Sequence, residues 1–355
     1  MYTILAINPG SASTKVAVYQ DNKTVVMLTV QHAREELEKF DGVLAQFDFR
    51  KQSVIKALED SGFEISQLDA VIGRGGLTKP IKSGVYEVNE RMLDDLSGRK
   101  RGIHASNLGA MLAYDIAKQI GAKAYIADPV VLDEMQDVER VTGLPNVHRR
   151  PIFHALNQKA VARTYADSIG RSYEDLNLIV VHMGGGISVG AHCHGEVIDV
   201  NNALEGEGPC SPDRSGGLVA VSLAEMLLTE VYDLTTVVGR VEHKGGVIAH
   251  LGANSIQDVV KMMNEGDDKA KLVLDAMCYN IAKYIGSMGT VLKGEVDAII
   301  LTGGIAYNKY VCDFIKDMIW FIGDVVVHPG ENELEALASN ALRVLQGELE
   351  PRIYE

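Results

Sequence analysis

Little in this 355-residue chain points to a membrane, an oxidising compartment or a nucleic acid. No apolar run approaches the roughly 20 residues needed to span a bilayer. A strand-like run begins two residues into the chain, so no signal peptide is expected. The four cysteines, Cys193, Cys210, Cys278 and Cys312, are scattered and show no C-x-x-C spacing. Reduced thiols in a cytoplasmic protein are the simplest expectation. Positive charge is in deficit: 34 Lys and Arg against 48 Asp and Glu leave a formal charge of −14. That balance argues against nucleic acid or an anionic membrane as a partner. It does not exclude an anionic substrate, because a few local Arg and Lys side chains decide a cleft. Low-complexity segments and long linkers are absent too. What is present is an ordinary globular balance, 46% hydrophobic and 23% charged, in a chain whose length suits two domains better than one.

One kind of segment occurs twice. Ile4 to Tyr19 is an apolar run, a Gly/Ser turn and a second alternating run, and Leu178 to Ala191 repeats that plan. Turn signals follow at Asp21-Asn22 and at His194-Gly195. Two glycine-rich hairpins, each opening one half, suggest a duplicated domain with two phosphate-gripping loops. Residues 2–30 and 178–200 read as three-strand meanders. Further strands are expected at 69–73, 124–129, 296–301 and 325–329. Helices are expected at 50–61, at 104–120 with Gly121 closing it, at 151–169, within 265–293, at 308–320 and at 333–345. Gly286 and Gly289 are expected at a close helix contact, and the charge run Glu134 to Arg140 reads as a solvated helix face. Strand–helix alternation places the chain among α/β proteins.

Several residues carry possible chemistry. In Asn8-Pro9-Gly10-Ser11-Ala12-Ser13-Thr14-Lys15, Gly10 lets the backbone expose N–H groups, Ser11 and Ser13 add hydroxyl donors, and Lys15 adds charge. No helix pattern follows, so this is not the G-x-x-x-x-G-K-[ST] loop; a Gly/Ser turn between strands is often no more than a turn. Gly184-Gly185-Gly186 costs backbone entropy between two buried strands. Close approach of a ligand would justify it; a tight bend or bulge is the alternative. Arg74, before Gly75-Gly76, and Arg214, in Asp213-Arg214-Ser215-Gly216, are placed to meet a phosphate or carboxylate bidentately, unless they are surface arginines. His104 and His154 stand near helix starts, where a histidine faces an anion or caps the helix. Asp128 and Glu333 are carboxylates at element ends, suited to Mg²⁺ through water or to capping. In a strand the two histidines of His192-Cys193-His194 would share a face, but no second ligand cluster is evident and the segment is not read as a zinc site.

Taken in order, N-x-G-S-x-S-x-K, the Arg-Gly-Gly strand end, Phe-His, His-x-Gly-x-Gly, Arg-Ser-Gly and a Gly-Gly-Ile before a helix resemble the acetate kinase family. That family belongs to the superfamily of actin, sugar kinases and heat-shock ATPases. The likeness spans essentially the whole chain. It implies a duplicated actin-like ATPase fold, two domains each with a mixed five-stranded sheet flanked by helices, and a nucleotide cleft between them. The domains expected are 1–150, completed by a C-terminal helix at 335–355, and 151–334.

The resemblance also implies roles. Asn8, Ser11, Ser13 and Lys15 match the first phosphate loop, and His182 with Gly184, Gly185 and Gly186 the second. Gly303, Gly304, Ile305 and Asn308 match the adenosine motif. Arg74 and Arg214 match two catalytic arginines, His154 a histidine on the phosphoryl group, His104 a further active-site histidine, and Asp128 a catalytic carboxylate. Glu333 or Glu331 matches the glutamate linked with Asn8 to Mg²⁺. ATP or ADP, Mg²⁺ and a short-chain carboxylate are thus the expected ligands, and a homodimer or higher homo-oligomer the expected assembly. Ala12 departs from the family's usual Ser or Thr. Ser255 stands near the position of a ribose-binding Asp. Gly76 and Ala203 take the places of a Val and a Pro that close the acetate pocket, which would leave room for extra methylenes beside Ile103 and Phe153. Each buried methylene is worth about 0.8 kcal/mol, so butyrate is favoured over acetate. Isobutyrate, isovalerate and propionate are the alternatives, with acetate a lesser one.

Overall fold

The computed structural model describes residues 1–98, 102–229, 234–253 and 255–355; Asn254, in the stretch compared with the ribose-binding motif, lies outside them. The chain divides into two compact units, Met1–Leu132 with Asn332–Glu355, and Asp133–Glu331. The first boundary falls before the one expected at 150. The reason is local: Gln136 N donates to Ile198 O at 3.0 Å, and Arg149 Nη2 meets Asp199 Oδ1 at 3.0 Å. Residues 133–150 are thereby fastened to the second unit.

The first unit is built on a sheet of β1 (Thr3–Pro9), β2 (Ser13–Gln20), β3 (Lys23–Gln31), β4 (Ala70–Arg74), β5 (Val85–Glu87) and β6 (Lys123–Ala127). Its order is β3-β2-β1-β4-β6-β5. The hairpins β1–β2–β3 are antiparallel, and β1–β4–β6 are parallel. All seven residues of β1 are buried, as expected of a central strand covered on both faces. Helix Asn107–Ile120 packs on β4 and β6, and helix Glu333–Leu345 packs on β1 and β4. Gly121 ends the former in the left-handed region, at φ 72°.

The second unit repeats the plan with β7 (Asn177–Met183), β8 (Ile187–Cys193), β9 (Glu196–Val200), β10 (Ala298–Gly303) and β11 (Val325–Pro329). The order β11-β10-β7-β8-β9 is the same path as β6-β4-β1-β2-β3, with the same parallel and antiparallel pairings. The duplication read from the two hairpins therefore extends to five strands. Among the described residues the first sheet has a sixth strand, β5, antiparallel to β6. The resemblance implied five strands there, and a strand of three residues is too short for its period to show in the sequence. Helix Asp268–Val291 buries Leu274, Met277, Ile281, Ile285 and Met288 and packs on β7 and β8.

Three expectations are corrected. A Cβ on Gly286 would meet nothing within 4 Å, so that glycine serves no close contact; one on Gly289 would lie 3.2 Å from Ile322. Glu134 is not on a solvated face. It is 8% exposed, accepts from the buried Lys159 Nζ at 2.7 Å and from Val197 N at 2.9 Å, and the helix beside it is only Asp137–Arg140. His192 and His194 do not share a strand face. β8 ends at Cys193, and His194 turns at φ 48°. The four cysteines are free thiols. Among the described residues no helix is long and apolar enough to cross a membrane.

Candidate active site

In the first unit, Asn8 is the last residue but one of β1, and the parallel neighbour β4 ends on Arg74. Glu333, in the first turn of helix Glu333–Leu345, reaches both. Asn8 Nδ2 donates to Glu333 Oε2 at 2.5 Å, Arg74 Nη1 donates to the same oxygen at 3.1 Å, and Arg74 Nη1 lies 3.4 Å from Asn8 Oδ1. Asn8 and Glu333 are each 8% exposed. One guanidinium, one amide and one carboxylate thus meet at the ends of two parallel strands and the start of a helix.

The turn after Asn8 is built from beneath. Arg50, on helix Phe47–Asp60, is fully buried. Its Nη1 donates to Gly10 O at 2.7 Å and Ser13 O at 3.3 Å, and its Nη2 to Ser11 O at 2.7 Å. Gln46 Oε1 accepts from both Nε and Nη2. The guanidinium gathers the carbonyls of the turn on one side, while Ser11 and Lys15 stand exposed and Ser13 half-buried. Burial lowers the Arg50 pKa from its usual value, yet a guanidinium stays charged. Arg50 was missed in the sequence because it sits in an ordinary amphipathic helix, and its partners lie about forty residues upstream.

The remaining expected residues of this unit make local contacts of their own. Asp128, at φ 39°, accepts from Ser83 Oγ at 2.7 Å and Gly84 N at 3.0 Å. His104 Nδ1 lies 2.8 Å from Ser106 Oγ and accepts from Ser106 N at 3.2 Å. Ile103 is 42% exposed. Gly76 does not leave open space: a Cβ there would fall 2.5 Å from both Asn107 Cα and Asn107 Oδ1. Asn107 is itself fully buried, accepting from Leu77 N and donating to Leu96 O. The missing side chain admits the start of a helix rather than extra methylenes, which corrects the pocket argument at this residue.

In the second unit, the three consecutive glycines after β7 each make way for a charged side chain. A Cβ on Gly184 would lie 3.1 Å from Glu331 Oε1, one on Gly185 3.2 Å from Asp213 Oδ2, and one on Gly186 1.8 Å from Arg214 Nη1. Arg214 Nη1 donates to Ala203 O at 2.5 Å. Its Nε is buried without a hydrogen-bond partner, so a buried donor is left for a ligand to satisfy. Burial lowers the Arg214 pKa and raises that of Asp213. Ala203 N donates to Ile152 O at 2.8 Å, and Phe153 beside it is buried.

His154 and His182 stack in this unit, ring centroids 3.8 Å apart and planes 10° from parallel. His182 Nδ1 lies 2.7 Å from Asn157 Oδ1, and its Nε2 3.1 Å from Glu331 Oε1. Glu331 and Glu333, alternatives in the sequence, therefore belong to different clusters. Gly303, at φ 87°, brings the end of β10 against Met183 O, 2.4 Å from where its Cβ would be. Gly304 has open space around it, Ile305 is buried, and Asn308 Oδ1 caps helix Lys309–Ile319 by accepting from Val311 N at 3.2 Å.

Two sheets of one plan, each with a glycine-bearing hairpin at the end of its first strand, define the duplicated actin-like ATPase fold. The crystal structure of Porphyromonas gingivalis acetate kinase has that fold, with a TM-score of 0.81 at 18% identity, over 97% of this chain and 100% of that one. This chain belongs to the acetokinase family, whose sequence profile matches residues 144–328. It is 52% identical over 355 residues to Butyrate kinase 1 of Clostridium acetobutylicum, covering 100% of both chains. To Butyrate kinase 2 of the same organism it is 51% identical over 354 residues, covering 100% of this chain and 99% of that one.

Proposed function

We propose that this chain is a butyrate kinase, moving the γ-phosphoryl group of ATP to the carboxylate of butyrate to give butyryl phosphate and ADP, reversibly. The observation that carries the reading is its 52% identity to Butyrate kinase 1 across the whole of both chains. The two side-chain clusters supply suitable chemistry. A carboxylate is already nucleophilic near neutral pH, so transfer needs alignment and charge neutralisation rather than a strong base. Arg74, held by Glu333 and Asn8, grips the acyl carboxylate. Arg214 and His154 stabilise the equatorial oxygens of the moving phosphoryl group. The Gly10 turn and the 184–186 turn offer backbone N–H groups to phosphate oxygens, and Gly303, Gly304, Ile305 and Asn308 shape the nucleoside end. The first unit thus serves the acyl side and the second the nucleotide. His104 and Asp128 complete the acyl side.

Magnesium fits the first cluster. Glu333 and Asn8 offer one carboxylate and one amide oxygen, and among the described residues no group of three or more His, Cys, Asp or Glu side chains is placed to cage a metal. Few protein ligands are what a cation takes when it keeps its waters and binds substrate phosphate. When bound, the ion would neutralise developing charge on the phosphates.

Trapping acyl phosphate with hydroxylamine across acids of two to six carbons, with ATP and magnesium, tests the assignment. Highest kcat/KM on butyrate is expected. A maximum on isobutyrate, isovalerate or propionate moves the assignment within the family's chemistry, and the absence of any ATP-dependent hydroxamate overturns it.

A further inference from the structure

Behind His154 runs a buried hydrogen-bond chain whose direction is fixed at one end by a backbone carbonyl. Tyr173 Oη lies 2.7 Å from His192 Nδ1, His192 Nε2 lies 2.9 Å from Gln158 Oε1, and Gln158 Nε2 lies 2.8 Å from Ser188 Oγ. Ser188 Oγ in turn lies 2.9 Å from His154 Nδ1. Gln158, His192 and Ser188 are all fully buried. Gln158 Nε2 is also 3.1 Å from Ser188 O. That carbonyl only accepts, so the amide NH₂ must face Ser188 and Oε1 must face His192.

The polarity then propagates. His192 donates from Nε2 to Gln158 Oε1, and its Nδ1 accepts from the Tyr173 hydroxyl. Burial first, and then the cations Lys159 and Arg163, push the His192 pKa well below its usual value, which agrees with a neutral ring bearing a single N–H. Ser188 Oγ accepts from Gln158, so its own hydrogen must find an acceptor inside the protein. His154 Nδ1 is that acceptor. Gly190, in the middle of β8, makes room for the chain. A Cβ there would fall 2.5 Å from Gln158 Oε1 and 3.3 Å from His192 Nε2. The strand thus carries a glycine where the His192–Gln158 bond needs the room.

We infer that Ser188 and Gln158 are positioning residues that hold His154 as its Nε2–H tautomer, so that Nε2 donates to the phosphoryl oxygen. This rests on the phosphoryl-binding role proposed for His154. The inference adds the cause of that role's geometry: among the described residues, His154 Nδ1 is the acceptor within reach of the serine hydrogen.

The test is ¹⁵N NMR of the full-length protein labelled at histidine, with Ser188→Ala and Gln158→Glu as variants. In the wild type, His154 is expected as the neutral Nε2–H tautomer. Ser188→Ala removes the donor to Nδ1, and Gln158→Glu draws the serine hydrogen the other way, so both should bring up the Nδ1–H tautomer. An Nδ1–H tautomer in the wild type, or an unchanged Nε2–H tautomer in both variants, overturns the inference. Kinetics supply the second arm. Ser188→Ala should lower kcat by about ten- to a hundredfold with KM for ATP little changed, since a tautomer is biased rather than a group removed. In a His154→Ala background the same substitution should cost nothing further; an equal loss there would mean a merely structural role and overturn it. The NMR result does not depend on which acid is phosphorylated, so failure of the butyrate assignment is read separately.

Discussion

Arg214 occupies the space that a side chain on residue 186 would need: a Cβ on Gly186 would stand 1.8 Å from Arg214 Nη1. Arg214 Nη1 is the far end of a flexible side chain, so the guanidinium rather than the backbone would yield. Gly186→Ala is therefore expected to behave as Arg214→Ala does. Stability in urea should change by less than about 2 kcal/mol, while kcat falls by about a hundredfold or more. Near-normal turnover in Gly186→Ala would show that Arg214 acts from a different position.

Arg50 carries a prediction of the opposite kind, in which fold and activity fail together. Three carbonyls of the Asn8 turn and one glutamine converge on a guanidinium with no solvent exposure. Arg50→Met leaves those acceptors buried and unmatched, at a cost of about 3 kcal/mol or more. Arg50→Lys keeps the charge but offers a single ammonium where a two-pronged donor is needed. It should fold at a lowered urea midpoint and lose turnover because the three carbonyls of the turn are no longer gathered by one guanidinium. Wild-type kcat in Arg50→Lys would separate the guanidinium from catalysis.

The contrast between these two arginines shows what the sequence carried. The duplicated meanders, Gly121 closing its helix and the helix at 333–345 were legible because alternation, caps and glycine act locally. Arg74 and Arg214 were legible because each sits in a glycine-bearing turn. Arg50 was not, since a helical arginine reads as solvated unless its distant partners are known. The same limit applies to Gly76. A small residue in a compared position suggests space, yet here the space is filled by Asn107 from another element. Helices Ala220–Thr229, Leu234–Glu242 and Gly246–Leu251 were passed over, being short segments with glycine or β-branched residues.

Gly76 gives the sharpest test of acyl selectivity. A Cβ there would meet backbone atoms of Asn107, 2.5 Å from Cα and 2.8 Å from N, and neither yields without moving the helix start. Gly76→Val is expected to lower stability by about 2 kcal/mol or more and to reduce kcat/KM on acetate and butyrate alike. A clean shift of preference from butyrate to acetate, with stability retained, would restore the simpler account in which the glycine leaves room for methylenes.

His32 makes stability depend on pH. Its Nε2 lies 2.9 Å from Thr14 Oγ1, while Nδ1 is buried without a hydrogen-bond partner. Burial first, then the charge of Arg50, lowers its pKa to about 4. The folded state therefore binds fewer protons than the unfolded state, whose histidine titrates near 6.5. The stability that this supplies is complete above about pH 6.5 and is lost as pH falls towards 4. Over that window His32→Gln should flatten the fall in unfolding free energy, a difference of up to a few kcal/mol. Parallel pH curves for variant and wild type would remove His32 from the acid sensitivity.

Glu331 and Glu333 should separate under magnesium titration. Glu333 is buried, and Arg74 and Asn8 both donate to one of its oxygens. Glu331, its side chain 40% exposed, meets His182. Glu333→Gln removes the charge that orients Arg74 and that, in the proposed reading, attracts the cation. It should raise the magnesium concentration for half-maximal rate and lower kcat by about a hundredfold. Glu331→Gln leaves that cluster intact, so its effect should fall mainly on KM for ATP, with the magnesium dependence close to wild type. Chelation by EDTA should abolish activity in both and in the wild type. If Glu331→Gln instead shifts the magnesium curve and Glu333→Gln does not, the metal belongs with the histidine cluster of the second unit, and Glu333 acts only by orienting Arg74.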